Sequence, residues 1–285
     1  MFWGTTDVFW GTTDVFWGTT DVILIDDADD PRLAGFRRNE RGLTNRRQRR
    51  NGDGGGLFMA EGDLVVERAL DAGCTAVAVL VDAAKPPAVT ARIPDGIPVY
   101  AGGDPVRAMV TQLGVPQGIV ALFARPPRPT PAQLSLLATR LLVVEAVDNP
   151  INVGSIVRNA VALGWDGMIF DSTSADPLSR RSLRVSMGQA IAFPAARTTH
   201  VPDELRHLQE CGFAVCALTP AADAVDIGAI EITAKMAVVI GSERLGLSAE
   251  SLAASTSRVR IPMTNGIDSL NAAAATAIAC YALRG

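Results

Sequence analysis

The second half of the chain, from Arg140 onward, alternates short apolar runs with amphipathic stretches in a fixed rhythm. "RLLVVEAV" (140–147) and "DGMIFD" (166–171) bracket "GSIVRNAVALG" (154–164), which reads as a helix closed by Gly164. Further helices are predicted near 179–190 and 202–211, and further strands in "FAVCALT" (213–219), "MAVVIG" (236–241) and "RVRIP" (258–262). The stretch "IDSLNAAAATAIACYAL" (267–283) closes the chain as a helix. Runs this apolar, separated by helices, belong to strands buried on both faces, which means a parallel sheet with helices on either side. Ligands of such sheets sit beyond the carboxyl ends of the strands. Three strands end in unusual loops there: "AVDNPINVG", "VVIGSERLGLS" and "RIPMTNGIDSLN". One site built from those three loops is the economical expectation.

The loops carry small residues, an arginine, a glutamate, and hydroxyl and amide side chains. They lack histidine, cysteine, paired aspartates and a phosphate-loop lysine, so metal, Walker-type and Ser-His-Asp chemistry are poorly supported. No G-x-G-x-x-G follows a strand, which argues against a nicotinamide oxidoreductase. A pocket of Gly241, Ile261, Pro262, Met263 and Leu270 would be apolar and rich in backbone groups, suited to a flat adenine and its ribose.

Upstream the pattern is less regular. "VILID", "AVAVLVD", "IPVYAG" and "QGIVALFA" read as strands, and "LFMAEGDLVVERALDAGC" as strand, turn and helix with Gly73 as the stop. The arginine-rich stretch to Arg50 is expected to be helical. Residues 2–22 are three identical copies of "FWGTTDV", a composition that fits no common repeat architecture, and they are set aside. The resulting division is 1–22 for the repeat, 23–124 for an auxiliary unit, 125–137 for a proline-rich linker and 138–285 for the main unit.

The 285-residue chain, 48% hydrophobic and 20% charged, has the make-up of a globular protein. No run is long enough for a membrane helix, and the start lacks a secretory pattern. Cys74, Cys211, Cys216 and Cys280 show no C-x-x-C spacing, and with only His200 and His207 a zinc site is not expected. Buried reduced thiols and a cytoplasmic location are. Net charge is −4, yet eight arginines and one acid, Glu40, fall between Arg32 and Arg50. That local excess suits phosphate contacts, with Arg46, Arg47, Arg49 and Arg50 as candidate RNA-binding residues. A solvated basic loop is the alternative.

Three segments together carry a specific resemblance. "NPINVGSIVRNAVALG" (149–164), "VVIGSERLGLS" (238–248) and "IPMTNGIDSLNAAAA" (261–275) resemble, in order and spacing, the three motifs of the SpoU/TrmH branch of the SPOUT RNA methyltransferases. "SADPLSRRSLRVSMGQAIAFP" between them has the same look, and "LFMAEGDLVVERAL" resembles the ribosomal-protein-like unit that precedes many members. The all-alanine start of the last helix departs from the family's usual valine and serine. The resemblance implies an α/β fold with a C-terminal trefoil knot and S-adenosyl-L-methionine as methyl donor. It also implies a homodimer that completes the active site across its interface, and a ribose 2′-hydroxyl in rRNA or tRNA as target. The auxiliary unit favours 23S rRNA. By position, Thr219, Gly241, Ile261, Met263 and Leu270 match the donor-holding residues. Asn152, Arg158, Glu243, Ser269 and Asn271 match the active-site set, with Asn152 expected to cap its helix and Arg158 to act as base or anchor. No membrane and no metal partner is implied. The competing reading is a knotted RNA-binding protein that has lost turnover.

Overall fold

The computed structural model describes residues 22–44, 55–112, 115–264 and 269–284. Arg46, Arg47, Arg49 and Arg50, and all of the triple repeat but its last valine, lie outside the described residues. Of the helix expected towards Arg50, the described part holds a single 3-10 turn at Pro31–Leu33 and the short α1 (Glu40–Leu43), capped by the Asn39 side chain.

The first sheet has the order β1-β4-β3-β5-β2, where β1 is Val22–Ile25, β2 Leu57–Glu61, β3 Ala76–Asp82, β4 Val99–Gly102 and β5 Ile119–Ala124. It is mixed: β4 runs parallel to β1 and β3, while β5 is antiparallel to β2 and β3. Two helices pack on it, α2 (Asp63–Asp71) and α3 (Asp104–Thr111). Gly73, with φ of +70°, provides the left-handed residue just past α2.

The second sheet is wholly parallel, in the order β10-β12-β9-β11-β6-β7-β8. Its strands are β6 (Arg140–Val144), β7 (Gly167–Phe170), β8 (Ala195–Arg197), β9 (Ala214–Leu218), β10 (Val225–Asp226), β11 (Met236–Ile240) and β12 (Ser257–Arg260). The helices are α4 (Pro131–Leu137), α5 (Pro150–Ala162), α6 (Arg180–Val185), α7 (Val201–Glu210), α8 (Ala249–Ala253) and α9 (Ala272–Ala282). Leu141, Leu142, Val143 and Val144 are all fully buried, as are Met236 to Val239, so both faces of the central strands are covered. The chain first lays strands to one side of β6, returns to place β9, and only then inserts β11 between β6 and β9. β12 is likewise inserted between β9 and β10.

The two sheets share one apolar cluster, which runs from Phe58 and Val66 to Ile156 and Leu183. The α6 helix fastens them. Arg180 and Arg184 both pair with the buried Glu61 of β2, and the Arg180 backbone N–H donates to Glu40 at 2.7 Å. The proline-rich stretch is also fixed. Within it, Pro131–Leu137 forms α4 behind a capping box of Thr130 and Gln133. Arg125 and Arg128 both pair at 2.6 Å with Asp176, and Arg128 and Arg197 each lie over the Phe170 ring.

Candidate active site

The α5 helix follows β6 through "AVDNP". Asn149 is its N-cap, its Oδ1 accepting from the Ile151 N–H at 3.0 Å, with Pro150 at the first helical position. Asn152 is therefore not the cap expected from sequence. It sits inside the first turn, buried, and its Oδ1 accepts from Asn271 Nδ2 at 3.1 Å. Gly154 lets a neighbouring helix come close. A Cβ there would stand 2.6 Å from the Ser182 carbonyl oxygen and 3.0 Å from Val185, so α6 packs against bare backbone.

The loop after β11 folds back on itself. The Gly246 N–H donates to the Ser242 carbonyl at 2.9 Å, and a Cβ on Gly241 would lie 2.4 Å from Gly246 backbone. Only glycine fits at 241. Asn271 caps the last helix, its Oδ1 accepting from Ala273 N–H at 2.9 Å, so α9 begins later than the apolar pattern suggests. The other end of the same amide, Nδ2, donates to both Asn152 and a Glu243 carboxylate oxygen. One side chain thus ties the three sequence-distant loops together.

Against this junction lies a cavity of about 500 Å³ at the carboxyl ends of β9, β11 and β12. Thr219, Gly241, Ile261, Met263 and Leu270 all line it, as do Glu243 and Ser269. Pro262 does not line it, whereas Leu218, Leu247 and Leu252 do. Leu247 belongs to the second motif, whereas Leu218, at the end of β9, and Leu252, in α8, carry no motif signal. The cavity is within the range of small-molecule sites, roughly 300–1,000 Å³, and its walls are chiefly apolar with convergent backbone groups. It fits a nucleoside better than a free anion.

Arg158 stands apart. Its side chain is exposed on α5, does not line the cavity, and makes no hydrogen bond or ion pair with the described residues. The structure brings Asn152, Glu243 and Asn271 together and leaves Arg158 outside that group. Its immediate helix neighbour Asn159 is bound instead, donating to the Ala273 carbonyl at 2.9 Å.

Among the described residues no group of three or more His, Cys, Asp or Glu side chains could hold a metal ion, and no helix is long and apolar enough to cross a membrane. All four cysteines are free. Burial raises the Cys216 thiol to about 11 and the Cys280 thiol to about 12, while Cys74 and Cys211 are only half-buried.

A parallel sheet with a cavity of small-molecule size at its strand ends, beside an Asn152–Asn271–Glu243 junction, is the layout of an α/β enzyme that takes its ligand at the carboxyl ends of the strands. Residues 139–281 match the SpoU rRNA Methylase family, and the chain belongs to that family of RNA methyltransferases. It is 39% identical over 263 residues to an uncharacterised tRNA/rRNA methyltransferase of Mycobacterium tuberculosis, covering 90% of this chain and 89% of that one. It is 28% identical over 229 residues to the 23S rRNA (guanosine(2553)-2′-O)-methyltransferase RlmP of Bacillus subtilis, covering 80% and 88%. Among solved structures, the AdoMet-bound rRNA methyltransferase of Sinorhizobium meliloti superposes with a TM-score of 0.77 at 26% identity, covering 92% of this chain and 97% of that one.

Proposed function

We propose that the chain transfers a methyl group from S-adenosyl-L-methionine to a ribose 2′-hydroxyl of structured RNA, 23S rRNA rather than tRNA, as a homodimer. The observation that carries this is the cavity at the ends of β9, β11 and β12 with the Asn152–Asn271–Glu243 chain beside it. The ribose and rRNA parts rest on the resemblance to the Bacillus enzyme, and the donor on the Sinorhizobium neighbour. The knot implied by the family is part of the same proposal. The late insertion of β11 and β12 between earlier strands is the topology that supports it, in a setting where threaded chains are otherwise nearly absent.

In this reading Thr219, Gly241, Ile261, Met263 and Leu270 hold the donor, which when bound supplies an electrophilic sulfonium methyl. An oxygen–carbon bond forms, a sulfur–carbon bond breaks, and the hydroxyl proton leaves for a base or water. Orienting the hydroxyl can contribute roughly 7–11 kcal/mol. A general base adds about 3–5 kcal/mol. Deprotonating an arginine at neutral pH costs roughly 7 kcal/mol, more than it would return as a base. Arg158 is therefore assigned to anchoring a phosphate and stabilising the developing alkoxide, with Glu243, Ser269 and Asn271 fixing the reacting geometry. Arg46, Arg47, Arg49 and Arg50 are assigned to RNA phosphates.

The test is transfer of labelled methyl from the donor to 23S rRNA and to tRNA, followed by mapping of 2′-O-methyl positions. Label on a ribose of 23S rRNA is expected. Donor binding with no transfer to either RNA, or label on a base, would overturn the proposal.

A further inference from the structure

The cavity depends on a loop that has little packing of its own. Residues 243–246 are exposed, so within the Ser242–Leu247 wall Leu247 supplies the apolar packing and the rest of its placement falls to polar anchors. Ser242 closes the loop on itself, Glu243 meets Asn271, and Arg244 pairs with Asp148 at 3.5 Å in full solvent, where such a pair contributes little. A further anchor is Glu145, the first residue past β6. Its Oε2 accepts from the Ser248 N–H at 3.1 Å, and its Oε1 accepts from the Ser248 and Ser251 hydroxyls, each at 2.9 Å. Ser248 is at the same time the N-cap of α8, its Oγ accepting from the Ser251 N–H at 3.1 Å.

The turn that aims Glu145 is itself built with care. Ala146 has φ of +56°, a left-handed conformation that alanine seldom adopts and that persists only where its surroundings enforce it. The Ala146 N–H donates to Asp171 Oδ1 at 3.1 Å, and the Val147 N–H donates to Ser174 Oγ at 3.0 Å. The Ser174 N–H donates to the same Asp171 oxygen at 2.9 Å. Burial alone would raise the Asp171 carboxyl, but the Ser174 and Thr173 hydroxyls and the Ala146 and Ser174 amides hold it below the usual range. Asp171 and Ser174 therefore hold the turn in the one conformation that carries Glu145 to the opposite loop.

We infer that Glu145 is a positioning residue for the methyl-donor site, acting through Ser248 and Ser251 to set the loop that walls the cavity. Glu145 does not line the cavity and touches no group assigned to the reaction, and Glu243 in the same loop keeps its own tie to Asn271, so Glu145 governs how tightly the donor is held and not the methyl-transfer step. The inference rests on the donor assignment proposed above.

The experiment is calorimetric titration of the full chain with S-adenosylhomocysteine, alongside steady-state kinetics at varied donor. For Glu145→Ala we expect donor affinity to fall by at least about 10-fold, with kcat at saturating donor within about 3-fold of wild type and RNA affinity unchanged. Glu145→Gln keeps one acceptor oxygen but presents an amide N–H to Ser248, and should fall between. Ser251→Ala removes a single hydroxyl, is the variant safest for folding, and should lose about 2–5-fold in donor affinity. Combined with Glu145→Ala it should lose nothing further, because both act through one contact. Folded Glu145→Ala and Ser251→Ala proteins that bind S-adenosylhomocysteine within 2-fold of wild type would overturn the inference. So would additive losses in the double variant. If the wild type itself fails to bind S-adenosylhomocysteine, the proposed function falls, a result distinguishable from the failure of Glu145 alone.

Discussion

Arg158 and Asn152 are six residues apart on one helix, which at about 100° per residue turns their side chains roughly 120° from one another. That rotation is why Asn152 is buried against Asn271 while Arg158 is exposed. It also suits a residue that meets the RNA and not the donor. Lysine keeps the charge of arginine but loses the planar fork, and its reference pKa is about two units lower or more. If Arg158 anchors through bidentate contacts, Arg158→Lys should fail nearly as badly as Arg158→Ala, by at least about 10²-fold in single-turnover rate, with little rescue at high pH. A lysine variant within a few-fold of wild type at pH 9 would instead make it a base. A second residue-scale expectation concerns Asp176, about a quarter exposed beside Arg125 and Arg128, whose side chains are 2% and 9% exposed. Burial alone would raise the Asp176 carboxyl, but the two guanidinium groups hold it far below the usual range. A carboxylate depressed in the folded state stabilises above its unfolded pKa, near 4, and loses that contribution as pH falls towards the folded value. Asp176→Asn should therefore cost about 3 kcal/mol at pH 7, as for a broken buried pair, with the gap in melting temperature narrowing below about pH 4. The motif residues were legible because the three loops are contiguous strings. The partners of Asp176 and Glu145 were not, because their contacts span about 50 and about 100 residues of sequence and follow no local period.

The elements read from the sequence are those whose apolar period is long enough to register. The β6 and β11 strands and the α5 and α7 helices lie where their patterns place them. β8 and β10, of three and two residues, carry too little pattern to be seen, and the antiparallel placing of β5 depends on tertiary pairing that no single segment encodes. The α4 helix was hidden by the prolines around it, although Thr130 and Gln133 at capping-box spacing were a usable signal. The α6 helix has only six residues and one fully buried serine, Ser182, yet it joins the two sheets. It does so by presenting Arg180 and Arg184 to Glu61, whose side chain is 3% exposed. Removing that carboxylate leaves Arg184 without its partner and Arg180 with only the Thr111 carbonyl, a loss concentrated at the seam and not within either sheet. Glu61→Ala should therefore raise amide hydrogen exchange in β2 and α6 first, while the central strands β6 and β11 keep their protection. Uniform loss of protection across both sheets would show that α6 belongs to one cooperative core and is not a local fastening.

At the scale of the whole molecule, the chain holds a cavity at its strand ends and an exposed arginine that does not line it. RNA association should depend on charge gathered in one segment despite the net −4 of the chain. Replacing Arg46, Arg47, Arg49 and Arg50 with serine should flatten the log–log salt dependence of RNA binding by up to about 0.7–0.9 per lost phosphate contact, leaving donor affinity alone. An unchanged slope would make the segment a solvated loop. The separation of Arg158 from the cavity has a sharper consequence if the enzyme works as a two-fold dimer. In such an interface whatever one copy gives to its partner it also receives. Suppose each site takes Arg158 from one protomer and Glu243 from the other. A heterodimer of Arg158→Ala with Glu243→Ala then concentrates both lesions in one site and leaves the other intact. Equal mixing and re-equilibration makes half of the dimers heterodimers, each with one working site, so activity should return to roughly a quarter of wild type from two nearly inactive parents. If both residues serve the same site from the same protomer, every site in the mixture carries a lesion and nothing returns. Measuring methyl transfer before and after subunit exchange decides between these arrangements, and a mixture that stays inactive although exchange is shown by mass would remove the shared site.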